Sequence, residues 1–216
     1  MNSRWIKGFA CVLAVFGVAL LGACGKAQFQ VSPAEKAVTL DNLKTAYLAE
    51  SVAQARYAAY AAKADEEGYK SVAVLFRAAV ASQDVLIKKR AALVVKMGGA
   101  ALVPPDAKPP EVRTTRENLQ AALAADIGAK NMRYMVFARQ AKAVKNDGAM
   151  YSFKGAVASE SEYVKFFKLA MADLDGWKAE GKTFAVCTVC SFPILGAPPA
   201  TCPVCQSPRE KFTVIK

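Results

Sequence analysis

Two stretches of this chain repeat each other, and the repeat limits the possible fold more than any other feature. Thr39-Leu40-Asp41-Asn42-Leu43 recurs as Thr115-Arg116-Glu117-Asn118-Leu119, and Ala79-Val80-Ala81-Ser82-Gln83 recurs as Ala156-Val157-Ala158-Ser159-Glu160. The second offset is one residue longer than the first. The later copy has therefore gained a residue between Asp126 and Tyr134, relative to the spacing of Glu50 and Tyr57. An extra residue inside a helix is commonly absorbed as a π-bulge, often beside a functional site. A unit that recurs in this way is one supersecondary element whose apolar face needs a neighbour to cover it. The expected result is a duplicated helical hairpin with approximate two-fold symmetry.

Local signals set the helix limits. Thr39 is placed to cap a first helix that runs to about Glu67 and stops at Gly68. A second covers about Tyr69 to Met97 and ends at Gly98-Gly99. A loop carrying Pro104, Pro105, Pro109 and Pro110 follows. Thr114 and Glu117 form a capping box for a third helix, which ends near Asp147-Gly148. A fourth covers about Ala149 to Leu174. Short, long and short connections belong to a four-helix bundle with one crossover. Residues 39–176 are assigned to this bundle, and Gly176 to Lys182 links it to a C-terminal module over 182–216. The fold class is mainly α, a four-helix bundle followed by a small β module.

The repeat makes Glu50, Gln83, Asp126 and Glu160 equivalent. Glu50 interrupts the series Leu43, Tyr47, Gln54, Tyr57, and Glu160 interrupts Phe153, Val157, Val164, Phe167, Met171. Spacings of three and four turn both carboxylates toward the bundle axis. A buried carboxylate is costly unless it is paired, protonated or bound to a cation. Glu50→Gln is expected to be neutral or stabilising if no metal sits there.

The C-terminal module holds two Cys-x-x-Cys pairs, Cys187/Cys190 and Cys202/Cys205, separated by eleven residues. Two such turns facing each other place four thiolates around one tetrahedral Zn²⁺ or a single iron. The chain contains no histidine. Covalent haem is excluded, because Ser191 and Gln206 follow the pairs where histidine would be needed. Disulfides are the competing use of thiols in an oxidising compartment, but pairs within one knuckle make poor cross-links between distant segments.

The N-terminus points to export. Arg4 and Lys7 precede an apolar run from Phe9 to Leu21, too short for a comfortable membrane span and right for a signal-peptide core. Leu21-Gly22-Ala23-Cys24 resembles the lipobox of bacterial lipoproteins. Residues 1–23, including Cys11, are read as a cleaved signal, Cys24 as the lipidated first residue and 24–38 as a tether. The molecule is placed on a membrane, facing the periplasm or the cell exterior. The formal net charge is +11. Lys88, Lys89, Arg90, Lys142 and Lys145 are scattered over the helices and are read as a solvated surface. Export argues against nucleic acid as a partner. Anionic lipid headgroups or an acidic redox partner are the functional alternative.

From Thr39 to the C-terminus the chain resembles rubrerythrin, a ferritin-like four-helix bundle fused to a rubredoxin-like iron module. The resemblance is carried by Thr39-Leu40-Asp41-Asn42-Leu43-Lys44, Glu50-Ser51, Arg56-Tyr57 and Glu66-Gly68-Tyr69, and by Cys202-Pro203-Val204-Cys205 with Pro208 and Phe212. It implies two irons among the helices, held by glutamates and Glu-x-x-His motifs, and peroxide reduction fed by the rubredoxin iron. This chain keeps Glu50 and Glu160 and has Asp126 for a third glutamate. Gln83 replaces another glutamate, Leu86 and Tyr163 stand where histidines are expected, and Ala129 replaces a further carboxylate. The bundle site is therefore read as vestigial or weak, with a di-iron centre largely lost. One iron at Cys187, Cys190, Cys202 and Cys205 is the expected cofactor, with zinc as the alternative. Ser191 and Gln206 stand where rubredoxin knuckles carry glycine, which argues for zinc by weakening the turn of N–H groups toward sulfur. The expected activity is electron transfer in oxidative-stress chemistry. The alternatives are a structural zinc-ribbon lipoprotein and a peroxide reductase with a remodelled bundle site. By analogy the chain pairs into a homodimer.

Overall fold

The computed structural model describes residues 32–105, 111–126, 129–179 and 181–216; of these, the side chains of 126 and 129–131 are outside the description. The signal segment, Cys11 and Cys24 lie outside the described residues. The elements in chain order are α1 (Pro33–Glu66), α2 (Lys70–Lys96), α3 (Thr115–Asp126), α4 (Ala129–Ala143) and α5 (Asp147–Ala172), then strands β1 (Phe184–Cys187), β2 (Pro193–Leu195) and β3 (Phe212–Ile215).

Helix α1 starts at Pro33, earlier than the expected Thr39. Ser32 is its cap: the Glu35 N–H donates to Ser32 Oγ at 3.2 Å, and the Ser32 N–H donates to Glu35 Oε2 at 2.9 Å. This reciprocal pair, with proline in the first turn, fixes the start. Thr39 instead lies inside the helix, its hydroxyl donating to the Glu35 carbonyl at 3.4 Å. Residues 33–38, assigned to the tether, are helical but exposed. They carry no apolar stripe that could announce a helix. The Thr114/Glu117 box is present as expected, with Thr114 Oγ donating to Glu117 Oε2 at 2.6 Å. The span of the expected third helix is covered by α3 and α4. The extra residue of the second repeat falls where they meet, and 127–128 are outside the described residues.

α1 packs along α2, α4 along α5, and α2 also meets α5. Their buried faces form two clusters. One gathers Tyr57, Tyr60, Phe76, Leu119, Tyr163 and Phe167; the other gathers Leu43, Leu86, Tyr134, Met150 and Phe153. Each such ring or aliphatic chain removed from water contributes about 1.5–3 kcal/mol.

The C-terminal sheet is antiparallel with order β2-β1-β3, and Ala185 pairs with Ile194 on one side and Val214 on the other. All four residues of β1 are buried. The reason is the bundle: the Phe184 ring packs edge-on against Phe166 at 5.3 Å and lies 6.5 Å from Trp177. Phe184 and Val186 belong to the first bundle cluster. The β module therefore continues the helical core.

Candidate metal centre

The end of β1 and the two tight turns after it bring four thiols together. Cys187 Sγ and Cys205 Sγ are 3.6 Å apart, and Cys190 Sγ and Cys202 Sγ 3.5 Å. All four sulfurs lie within 4.8 Å of one another, and none is in a disulfide. Four sulfurs about 2.3 Å from a central ion stand roughly 3.8 Å apart in a tetrahedron. The cluster fits one tetrahedral ion. Soft thiolates in that geometry suit iron or zinc.

Backbone donors surround the sulfurs. The N–H groups of Val189 and Cys190 reach Cys187 Sγ, that of Phe192 reaches Cys190 Sγ, and those of Val204 and Cys205 reach Cys202 Sγ. The residue after each pair is left-handed, Ser191 at φ 70° and Gln206 at φ 60°, and after Ser191 the chain turns the Phe192 N–H toward Cys190. The Ser191 and Gln206 N–H groups close the turns on the Cys187 and Cys202 carbonyls, each at 2.9 Å. The expectation that lack of glycine weakens this arrangement is corrected: serine and glutamine adopt the backbone that glycine usually supplies. Hydrogen bonds, that of the Cys190 thiol foremost, draw Cys187 down to about 5. Hydrogen bonding to Cys187 pushes Cys190 up, and burial pushes Cys202 up.

A hydroxyl cluster seats the first knuckle on the bundle. Ser82 of α2 donates to the Ser191 carbonyl at 2.8 Å, and its oxygen lies 2.7 Å from the Tyr163 hydroxyl. Ser159 of α5 lies 2.7 Å from Ser191 Oγ, and Ser191 Oγ donates to the Cys190 carbonyl. Burial pushes the Tyr163 phenol up, so it remains a neutral donor. Lys89 Nζ donates to the Val189 carbonyl at 3.2 Å. Helix α5 carries Gly155 where the knuckle comes closest: a Cβ there would stand 2.9 Å from the Cys190 carbonyl oxygen.

The bundle interior is different. Glu50, Gln83, Leu86, Glu160 and Tyr163 are all buried, as the periodicity requires. The side chains of Asp126 and Ala129 lie outside the described residues. The sequence reading missed the residue that decides this region. Arg90, counted as part of a solvated surface, is 0% exposed. Its Nη1 donates to Glu50 Oε1 at 2.7 Å and to the Ala46 carbonyl at 3.3 Å. Its guanidinium carbon stands 4.9 Å from the Tyr134 ring centre and 5.6 Å from that of Phe153. Tyr134 also donates to Glu50 Oε1, at 2.7 Å. Arg90 lies one heptad after Gln83 and one turn after Leu86, so spacing alone puts it on the inward face. The Glu50 carboxylate faces a fixed cation, and amide, alkyl and phenol groups replace the expected ligands.

Residues 41–171 match the rubrerythrin family model. Nigerythrin of Nitratidesulfovibrio vulgaris is 31% identical, over 81% of this chain and 85% of that protein. Rubrerythrin-2 of Clostridium acetobutylicum is 26% identical, over 82% of this chain and 97% of its own. Among solved structures, the fully reduced, all-ferrous state of nigerythrin superposes with a TM-score of 0.74 at 28% identity, covering 97% of this chain and 100% of that one. A bacterioferritin of Desulfovibrio desulfuricans shares the fold, with a TM-score of 0.60 at 14% identity over 66% of this chain and 83% of its own.

Proposed function

This chain belongs to the rubrerythrin family, and we propose that it is an exported, lipid-anchored electron carrier that holds one iron at Cys187, Cys190, Cys202 and Cys205. It is a rubrerythrin-like iron protein of redox or oxidative-stress chemistry. The electron-carrier role is supported by the seating of the four sulfurs. They lie within 4.8 Å of one another, receive backbone N–H groups and rest directly on α2 and α5. Such N–H groups stabilise the more negative state of an iron–thiolate centre and so set its potential. An iron held by these four thiolates would supply one-electron exchange between ferrous and ferric states. The chain's contribution is to fix the ligands, exclude water from Cys187, Cys190 and Cys202, and keep Cys205 partly open toward a partner.

The bundle serves in this reading as scaffold, without di-iron catalysis. Attachment through Cys24, a periplasmic or extracellular position and a homodimer complete the proposal. Among the described residues no helix is long and apolar enough to cross a membrane, and the proposed anchorage is the lipid on Cys24. Cleavage of the signal removes Arg4 and Lys7, so the formal net charge of +11 falls by two to +9, which suits an acidic redox partner or anionic headgroups.

Metal analysis with visible spectroscopy tests the reading. The expected result is one iron per chain, thiolate-to-iron colour and reversible one-electron bleaching. A colourless protein with one zinc supports instead a structural zinc-ribbon lipoprotein, which the sulfur geometry also accepts. Roughly three irons per chain with peroxide turnover would identify a peroxide reductase.

A further inference from the structure

The bundle interior contains a permanent positive charge where a buried acid needs one. Arg90 is fully buried, and so is Glu50, the acid it touches. From its place on α2 the Arg90 side chain reaches every other long helix of the core. It meets α1 through Glu50 and the Ala46 carbonyl, α4 through the Tyr134 ring and α5 through the Phe153 ring. Tyr134 closes the triangle by donating to the same Glu50 oxygen. We infer that the Arg90 guanidinium is the resident cation of the bundle, a built-in substitute for a bound metal ion that neutralises Glu50 and ties α2 to α1, α4 and α5.

The chemistry supports this. A guanidinium is planar, keeps its charge in a dry environment and stacks on aromatic faces while donating at its edge. Here it does both. Burial works against its charge, but Glu50, then Tyr134 and Glu160, outweigh that and hold its pKa above the ordinary value. A divalent ion approaching Glu50 meets a fixed like charge within hydrogen-bond distance of the oxygen it needs. Glu50 is thus neutralised from within the chain, and only the sulfur site depends on metal. This inference rests on the reading of the bundle as a scaffold without a di-iron centre.

The test is a double-mutant cycle on the full-length, metal-loaded protein, read by thermal melting and by ions bound per chain. Arg90→Met and Glu50→Gln are each expected to lower Tm by roughly 10 °C. Arg90→Met is expected to cost much less in the Glu50→Gln background, because each change alone leaves the partner unpaired. If Arg90→Met does not fold, Arg90→Lys takes its place in the same cycle, since it keeps a charge and loses the planar fork. Ions bound per chain are expected to stay at one with or without Glu50→Gln. Additive Tm losses would overturn the inference, and so would wild-type protein that binds further ions lost on Glu50→Gln. Iron or zinc at the sulfurs decides the electron-carrier reading separately and does not affect the cycle.

Discussion

Ser191 and Gln206 hold left-handed backbone at roughly 1 kcal/mol each, a cost glycine would avoid. The two positions nevertheless differ. Gln206 is exposed, and its backbone N–H makes the turn bond. Gln206→Gly is therefore expected to raise the stability of the metal-loaded protein by about 1 kcal/mol in denaturant melts. Ser191 is buried and its hydroxyl meets Ser159. Ser191→Gly gains the same relief and loses that contact, so it should give no increase. Equal gains at both sites would show that the hydroxyl cluster contributes nothing. Arg90 also reverses a sequence expectation. From the sequence, Glu50→Gln is expected to be neutral or stabilising in a bundle without metal, because it removes a buried charge. With Arg90 buried against it, the change strands a guanidinium at a cost of about 3–5 kcal/mol.

Helix α5, with α2, is where the helical half and the sulfur half touch. A glycine inside a helix normally costs about 1 kcal/mol relative to alanine. At Gly155 the preference is reversed, because a methyl group would push on the Cys190 carbonyl. Gly155→Ala is expected to lower Tm and to speed metal loss to a chelator, with far-UV circular dichroism unchanged. A rise in Tm would mean that the knuckle does not rest on α5. The helices themselves were legible because apolar spacing and the Thr114/Glu117 box are local signals. The start of α1 was not, because its first turns touch no core. The inward turn of Arg90 was legible in principle from its heptad spacing to Gln83, but a basic residue read by composition is assigned to the surface.

Across the whole molecule, the bundle and the sulfur module share one core through Phe184 and Val186. They are expected to unfold together. Helical circular dichroism and thiolate-to-metal absorbance should fall in a single transition, and Phe184→Ala should shift both by about 3–5 kcal/mol. Removing the ion with a chelator should lower the melting temperature of the helices as well as that of the tail. Two separate transitions would show that the module is an independent appendage, as the sequence division at 176–182 implies.

The sequence alone determined the duplicated helical hairpin, the inward carboxylates and the four-sulfur site, because each is written in short spacings that obey helix or knuckle geometry. Only the tertiary structure decided what those groups face. It placed a guanidinium rather than an open metal pocket beside Glu50, and it set the sulfur knuckles against α2 and α5. Such pairings join residues far apart in the chain, and no local period records them.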